Sequence, residues 1–209
     1  MISTSQLTYS YPGQPAMVFP DIKCQPGEHI LLLGPSGIGK TTLLHLLGGI
    51  LSPSKGEIMI GDVSLHKMRG RQLDQFRGAH IGLIFQKPHF IKSITAIENL
   101  LLTQSLSGTP LSKSQALQLM DRLSIAHKAN AKTFSLSTGE QQRLAIARAL
   151  INKPEIILAD EPSSALDDDN CFKMITLLQQ VANENSANLI IVTHDSRIKE
   201  LFDKKIYLT

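Results

Sequence analysis

A glycine-rich segment between a short apolar run and a leucine-rich run restricts the folds that this chain can adopt. The segment consists of Gly34, Pro35, Ser36, Gly37, Ile38, Gly39, Lys40 and Thr41. This is the pattern of a turn that joins a strand to a helix and directs backbone N–H groups at phosphates. The apolar run, residues 29–33, precedes it, and the leucine-rich run, residues 41–47, follows it and ends at two glycines. A strand, a glycine-rich turn and a helix therefore follow one another in the required order, and the sequence predicts a binding site for ATP or GTP.

Four short apolar runs predict the buried strands of a parallel sheet. They are residues 30–33, 81–85, 156–159 and 189–192. Segments with helical periodicity separate them, notably residues 141–151 and 168–181, so we expect an α/β core in which helices cover a parallel sheet. Prolines and glycines divide the stretch before Gly34 into short pieces, which favours a small antiparallel sheet laid against that core.

Residues 88–136 contain no clear strand, but the region carries three helix-start signals. In each, a hydroxyl residue is followed three positions later by Glu or Gln, as in a capping box. The pairs are Thr95 with Glu98, Ser112 with Gln115, and Ser137 with Glu140. The residues that would form one apolar face after Ser112 are Ala116, Leu119, Met120 and Leu123. We therefore expect one domain over residues 1–209, with a helical subdomain inserted at about 88–142.

Composition excludes several classes of function. The chain has 209 residues, 42% of them hydrophobic, which suffices for a sizeable core. Its formal charge is +3 with dispersed basic residues, so no nucleic-acid interface is indicated. One basic cluster at residues 66–77 is read as a solvated face, with contact to anionic lipid or an acidic partner as the alternative.

Cysteine usage and hydropathy indicate the compartment. Cys24 and Cys171 lie far apart without metal-ligand spacing, as expected for packing residues in a reducing compartment. The first residues lack the charged and apolar regions of a leader, and no apolar stretch is long enough to cross a bilayer. We therefore expect the chain to stay in the cytoplasm unless a partner holds it at a membrane.

Two carboxylates, Asp160 and Glu161, follow the third apolar run. At a strand end, the first can hold Mg²⁺ together with the Thr41 hydroxyl and the phosphates, and the second can polarise an attacking water. Ser137 would cap the helix that follows it and leave the positive end of that helix facing an anion. Taken alone, the two carboxylates could equally be the acidic end of a surface strand, and Ser137 could equally be an ordinary helix cap.

With these motifs in this order, the chain resembles the ATP-binding cassette (ABC) ATPases over nearly its whole length. The matching positions are the phosphate loop at 34–41, the glutamine loop at Gln86, the signature sequence at 136–140, the acidic pair Asp160 and Glu161, the dimer-contact loop at 164–167, the switch histidine His194 and the adenine-stacking ring Tyr11. Three positions depart from the family pattern. Thr138 replaces the usual Gly, Glu140 replaces a common Gln, and Ser163 replaces a commoner Thr. The side chain at Thr138 narrows the approach to phosphate.

The resemblance implies that two copies meet head to tail and enclose two ATP molecules, each site being completed by the other subunit. The ATP contacts it assigns are Tyr11, residues 34–41, Thr42, Gln86, Ser137, Gly139 and Glu140. It assigns Mg²⁺ to Thr41, Gln86 and Asp160. Lys40 would neutralise the β/γ-phosphates, Glu161 would act as general base, and His194 would hold the γ-phosphate and the attacking water.

Residues 84–86, 94–99 and 140–150 are similar to stretches of the small bacterial ATPases of lipoprotein-release, macrolide-efflux and cell-division systems. This implies an integral membrane permease as partner, with the chain peripheral on the inner face of the membrane, driving export, extraction or work without transport. A soluble ATPase of DNA repair or translation is disfavoured, because no long coiled coil, zinc module or second cassette is present. A P-loop kinase or GTPase is the third alternative, since residues 152–155 approach a guanine-reading motif but end in Glu instead of Asp.

Overall fold

The computed structural model describes residues 1–163 and 166–208. Its strands, in chain order, are β1 (Ile2–Tyr9), β2 (Met17–Val18), β3 (Lys23–Cys24), β4 (His29–Leu33), β5 (Lys55–Ile60), β6 (Val63–Ser64), β7 (Ile81–Ile84), β8 (Ile156–Asp160), β9 (Asn188–Thr193) and β10 (Lys204–Tyr207). Its α-helices are α1 (Lys40–Leu47), α2 (Gly70–His80), α3 (Ala96–Ser107), α4 (Lys113–Arg122), α5 (Thr138–Leu150) and α6 (Asp168–Glu184).

The central sheet consists of five parallel strands in the order β10-β4-β9-β8-β7. The four apolar runs that predicted buried strands are β4, β7, β8 and β9, so that prediction is confirmed. Because β9 lies between β4 and β8, the carboxyl ends of these three strands are neighbours at one edge of the sheet. The phosphate loop, the acidic pair and His194 each lie at one of these ends.

A second sheet is antiparallel, and β1 is its organising strand. β1 pairs with β2, β3 and β5, and β5 also pairs with β6. The antiparallel sheet expected before Gly34 is confirmed, but the sequence analysis did not extend it to β5 and β6. These strands return to β1 from beyond α1, and local patterns carry no information about such non-local pairing.

Alternate residues of β4 supply two apolar cores, one on each face of the parallel sheet. Ile30 and Leu32 pack with α1 and the antiparallel sheet, whereas Leu31 and Leu33 pack with the helices α3 to α6. All four side chains are buried, and each contributes roughly 1.5–3 kcal/mol of hydrophobic stabilisation. Strand β4 is thereby fixed from both faces, and the loop that follows it starts from a rigid point.

All three predicted helix caps are formed. The hydroxyl oxygen of each cap accepts from a backbone N–H three residues later, at 3.3 Å for Thr95, 3.2 Å for Ser112 and 3.3 Å for Ser137. Ser112 lacks the reciprocal bond because its own N–H donates instead to Gln104 Oε1 at 3.0 Å. The buried face of α4 is confirmed at Ala116, Met120 and Leu123. The inserted subdomain at about 88–142 stays a prediction.

Two further elements, α2 and β10, were missed for identifiable reasons. Helix α2 has no fully buried side chain, so its apolar periodicity is weak. Strand β10 contains Lys204 and Lys205, which interrupt any apolar pattern. Charged residues are tolerated there because β10 is an edge strand. Cys24 and Cys171 are buried and not disulfide-bonded, and burial raises the pKa of the Cys24 thiol to about 11.

Candidate active site

The phosphate loop leads directly from β4 into α1. Gly39, immediately before α1, has a φ of 99°, and a Cβ there would stand 3.0 Å from Met17 Sδ and 3.3 Å from the Phe19 ring. Glycine is therefore required at this position by both backbone conformation and space. No side chain caps the start of α1. The N–H groups and positive dipole end of the helix are thus oriented for an anion, not consumed by a capping side chain.

Lys40 lies inside the loop that it terminates. The residue is buried. Its Nζ donates to Gly34 O at 2.8 Å and to Pro35 O at 2.9 Å. The two carbonyls hold the ammonium group over the loop, so the cation stands where phosphate oxygens would meet the backbone N–H groups. This placement fits the charge-neutralising role expected for Lys40.

The Thr41 hydroxyl and the Asp160 carboxylate join the start of α1 to the end of β8. Thr41 Oγ1 donates to Asp160 Oδ2 at 3.0 Å. Burial, and to a smaller extent the neighbouring Glu161 carboxylate, raises the pKa of Asp160 above its ordinary value, while the bond from Thr41 opposes that shift. A buried carboxylate beside a hydroxyl is a pair of oxygen ligands that a small divalent cation prefers.

Glu161 is held by the residues that end β9. Its Oε2 accepts from Thr193 Oγ1 at 2.8 Å, and its Oε1 accepts from the backbone N–H of His194 at 3.1 Å. His194 Nδ1 lies 2.7 Å from the same Oε1. The side chain of Glu161 is 11% exposed and that of His194 is 66% exposed. A shielded carboxylate is therefore aligned by an imidazole that reaches solvent.

These groups surround a cavity of about 360 Å³. It is lined by Tyr11, Gln14, Met17, Ser36, Gly37, Gly39, Lys40, Thr41, Thr42, Gln86, Asp160, Glu161 and His194. Tyr11 is fixed at the rim by a 3.2 Å contact between its hydroxyl and Thr42 Oγ1, whereas Tyr9 packs against the apolar core. Gln14 and Met17 also line the cavity, although no recognisable motif marks them in the sequence.

Three loop residues among the expected ATP contacts do not line this cavity. Gly34 and Pro35 instead present the carbonyls that bind Lys40, and Ile38 packs against the apolar core next to α1. A Cβ on Gly34 would lie 2.9 Å from Leu208 O, so glycine is needed there for close packing with the end of the chain. Their role within the described structure is to shape the loop.

The signature residues Ser137, Gly139 and Glu140 lie outside the cavity lining of their own chain. Glu140 completes a capping box, since its Oε2 accepts from the Ser137 N–H at 2.8 Å, and this bond lowers the pKa of Glu140. A Cβ added to Gly139 would meet only Arg143 Nη1, at 3.6 Å. Neither space nor backbone conformation within the described chain therefore requires glycine at 139. Residues 164 and 165 of the expected dimer-contact loop lie outside the described residues.

Known proteins resemble this chain over most of its length. A family model described as ABC transporter matches residues 20–164. The lipoprotein-releasing system ATP-binding protein LolD of Bacteroides fragilis (strain YCH46) is 36% identical over 210 residues, covering 100% of this chain and 97% of that protein. LolD of Psychrobacter arcticus (strain DSM 17307 / VKM B-2377 / 273-4) is 38% identical over 191 residues, covering 90% of this chain and 84% of that protein.

Solved structures give the same result for the fold. The dimeric post-hydrolysis state of the ATP-binding cassette MJ0796, bound to ADP and Pi, superposes with a TM-score of 0.89 at 32% identity, covering 100% of this chain and 94% of that one. CbiO1 from Clostridium perfringens, part of the ABC transporter complex cbiONQ, gives 0.86 at 26% identity, covering 100% and 84%. The chain belongs to the ABC transporter family, as one of its ATP-binding and ATP-hydrolysing cassettes.

The kinase or GTPase alternative is excluded by family membership. Asn152 of its proposed guanine motif has a structural role, since its Nδ2 donates to Gly78 O at 2.7 Å and to Ser107 Oγ at 2.9 Å. Within residues 1–163 and 166–208, no helix is long and apolar enough to span a membrane.

Proposed function

We propose that this chain is the ATPase subunit of an ABC transporter of the lipoprotein-releasing type. The relatives at 36–38% identity are named as ATP-binding proteins of such systems, and they match this chain over 90–100% of its length. ATP binds in the cavity at the carboxyl edge of the parallel sheet. The single observation that carries the proposal is the convergence there of Lys40, the Thr41–Asp160 pair and the Glu161–His194 pair.

One half of the site binds the triphosphate and Mg²⁺ before hydrolysis. It consists of Lys40, Thr41, Gln86 and Asp160. Lys40 exchanges its two loop carbonyls for β/γ-phosphate oxygens, which are stronger acceptors because they carry charge. Thr41, Gln86 and Asp160 each line the cavity with side-chain oxygen, which is a donor set that would hold Mg²⁺. When bound, Mg²⁺ would supply positive charge that neutralises the phosphates.

Glu161 and His194 form the hydrolytic half. Glu161 accepts a proton from the attacking water, and the bonds from Thr193 Oγ1 and the His194 N–H keep its two oxygens in a fixed orientation while it does so. His194 reaches solvent, so its imidazole is placed to contact the γ-phosphate and the water once ATP is bound. The orientation of the base is thus established before substrate arrives.

Ser137 and Gly139 complete the site of a second copy of the chain. They lie at the N-terminus of α5, where the dipole favours an anion, and yet they do not line their own cavity. Glycine at 139 is unexplained by the fold of one chain, because a Cβ there has room. Close approach of a partner-bound phosphate explains it. MJ0796, which is similar to this chain, was solved as a dimer with ADP and Pi.

The partner that converts hydrolysis into work is an integral membrane permease. The chain is peripheral on the cytoplasmic face of the membrane and is held there by that partner, a location that the LolD relatives support. The helical region between α3 and α5 transmits dimer closure to the permease. Mechanical work across the membrane without transport is the alternative outcome of the same ATPase cycle. The LolD relatives favour release of a lipoprotein over DNA repair or translation.

Steady-state hydrolysis and ATP-induced dimerisation test the proposal with Glu161→Gln. We expect hydrolysis to fall by roughly 10²-fold or more, because the proton acceptor is lost, while ATP traps a dimer visible by light scattering. Glu200→Gln, an exposed carboxylate on the turn that follows His194, is the matched control and should keep full activity. Unchanged turnover of Glu161→Gln, or wild-type protein without ATPase activity, would overturn the proposal.

A further inference from the structure

One ion-pair cluster outside the cavity joins the chain just after His194 to the chain just before α6. Arg197 forms its centre and makes a two-pronged contact with one carboxylate: Nε donates to Asp195 Oδ1 at 2.9 Å and Nη2 donates to Asp195 Oδ2 at 2.7 Å. Its remaining nitrogen, Nη1, donates to Asp168 Oδ1 at 2.6 Å and to Leu166 O at 3.2 Å. Neither Arg197 nor Asp195 lines the cavity.

Asp195 carries this cluster toward the catalytic carboxylate. The Asp195 N–H donates to Thr193 Oγ1 at 2.9 Å, and the same Thr193 hydroxyl donates to Glu161 Oε2. Asp195 Oδ2 also accepts from Ser163 Oγ at 3.1 Å, and Ser163, two residues after Glu161, is completely buried. A continuous path of hydrogen bonds therefore runs from Glu161 through Thr193 and Asp195 to Arg197.

The two arms of Arg197 differ in environment. The Asp195 side chain is 9% exposed and accepts the fork of the guanidinium, whose bonds lower the pKa of Asp195 to about 2. The Asp168 side chain is 75% exposed, so its ion pair with Arg197 is screened by water. Lysine cannot reproduce the planar fork that spans both carboxylate oxygens while still reaching Leu166 O. The contacts that require arginine are therefore those to Asp195 and to the backbone at residue 166.

We propose that Arg197 is a positioning residue for hydrolysis, which holds Leu166 in register with Glu161 and His194. This inference rests on the proposed function, because residues 164–167 are the segment expected to contact the second subunit. Contact between subunits is thereby linked to the orientation of the general base, with no atom of Arg197 touching ATP. A residue that acts in this way affects turnover and dimer closure more than it affects the binding of ATP to one chain.

The test compares Arg197→Ala, Arg197→Lys and the control Lys199→Ala in steady-state hydrolysis. Lys199 lies on the same turn and forms no ion pair with the described residues. We expect Arg197→Ala to lower kcat by about 10-fold or more and Arg197→Lys by several-fold, with KM for ATP within twofold of wild type. The protein concentration needed for ATP-trapped dimers, measured in the Glu161→Gln background, should rise by about 10-fold for Arg197→Ala. Lys199→Ala should match wild type in both assays.

A purely structural role predicts a different pattern, in which KM, kcat and the melting temperature change together. That pattern, or an unchanged kcat in Arg197→Ala, overturns the inference while leaving the ATPase assignment intact, because wild-type protein still hydrolyses ATP and still dimerises. If Arg197→Ala does not fold, Arg197→Lys decides: a lower kcat at unchanged melting temperature and KM supports the positioning role, and full activity overturns it.

Discussion

The carboxyl edge of the parallel sheet and the N-terminus of α5 both present groups that suit phosphate, but they are built differently. At the sheet edge, chain topology collects Lys40, Asp160 and Glu161 from distant parts of the sequence into one cavity. At α5, a local capping box fixes Ser137 and Glu140 within a single helical turn. The first arrangement lies within one chain, whereas the second lies outside that cavity and, in the proposed dimer, faces the phosphates bound by the other copy.

We therefore expect the sheet edge to bind nucleotide within one chain and the α5 terminus to contact a second copy of the chain. Changes at the sheet edge should therefore affect ATP binding by an isolated chain. Changes at α5 should leave that binding intact and affect only reactions that require two chains. A substitution that destabilises the helical region formed by α3, α4 and α5 should also leave ATP binding at the parallel sheet unaffected.

Lys40→Ala tests the sheet edge and has the largest expected effect. We expect ATP affinity to fall by about 10³-fold, or about 4 kcal/mol, because a buried cation that would bind charged phosphate oxygens is lost. Calorimetric titration of ATP measures this, with Lys113→Ala on the exposed start of α4 as the control. Undiminished binding by Lys40→Ala would place the triphosphate elsewhere.

Met120→Ala tests whether the helical region is a separate unit of stability. Met120 is fully buried on the single apolar face of α4, so truncation should lower the free energy of unfolding by about 2–5 kcal/mol. Hydrogen exchange should rise chiefly in residues 96–150, and ATP affinity should stay within twofold of wild type. Leu117→Ala, on the exposed side of the same helix, should cost less than about 0.5 kcal/mol. A parallel loss of ATP affinity in Met120→Ala would show that the two regions are not separable.

The sequence predicted the two anion-facing elements because each depends on short-range patterns. The phosphate loop needs Gly39 and Lys40 at fixed spacing, and the α5 cap needs only Ser137 and Glu140. The rest of the cavity could not be predicted in this way. Gln14 lies in the loop between β1 and β2, and Met17 begins β2, so both reach the cavity only through the placement of the antiparallel sheet, in which β1 pairs with the distant β5.

The roles of charged side chains that belong to no motif could not be predicted from the sequence either. Arg197 stands three residues after His194 in a sequence that matches no pattern of its own. Its importance emerges only when β9 and the start of α6 are brought together, so that Asp195 and Leu166 come within reach of one guanidinium. Sequence reasoning therefore identifies the groups that line the cavity better than the groups that hold them in place.

Gly139→Asp tests whether α5 serves a partner. A carboxylate in the first turn of a helix stabilises the helix, and a Cβ at 139 has room, so the melting temperature should be unchanged or slightly raised. ATP binding by the isolated chain should also be unchanged. Hydrolysis should nevertheless fall by about 10²-fold, because a negative charge then faces the phosphate bound to the other subunit. Ser114→Asp, which adds the same charge to the exposed first turn of α4, is the control outside the site.

Mixing the two inactive variants makes the prediction sharper. A dimer of one Lys40→Ala chain and one Gly139→Asp chain has one site with both changes and one intact site. Equal mixtures should therefore recover on the order of one quarter of wild-type hydrolysis, if the chains pair at random. Activity no greater than the sum of the separate variants would contradict a site shared between subunits.

Thr95→Ala has the smallest expected effect and tests whether caps support the helical region independently of ATP. Loss of the N-cap of α3 should lower the free energy of unfolding by about 1 kcal/mol, with no change in ATP affinity. Thr103→Ala, in the middle of the same helix, removes only a bond to the Asn99 carbonyl and should be neutral or slightly stabilising. Denaturant titration of both variants measures the difference.

The same cap predicts a pH dependence with a definite sign. The Thr95 N–H donates to Glu98 Oε2 at 2.7 Å and lowers the pKa of Glu98 below its usual 4.5. A depressed pKa in the folded state adds stability that is fully present above about pH 4.5 and is lost as pH falls through the lowered value. The stability difference between wild type and Glu98→Gln should therefore be constant from about pH 6 to 8 and shrink below about 4.5. A difference that grows on acidification would mean that this carboxylate does not act through its ionised form.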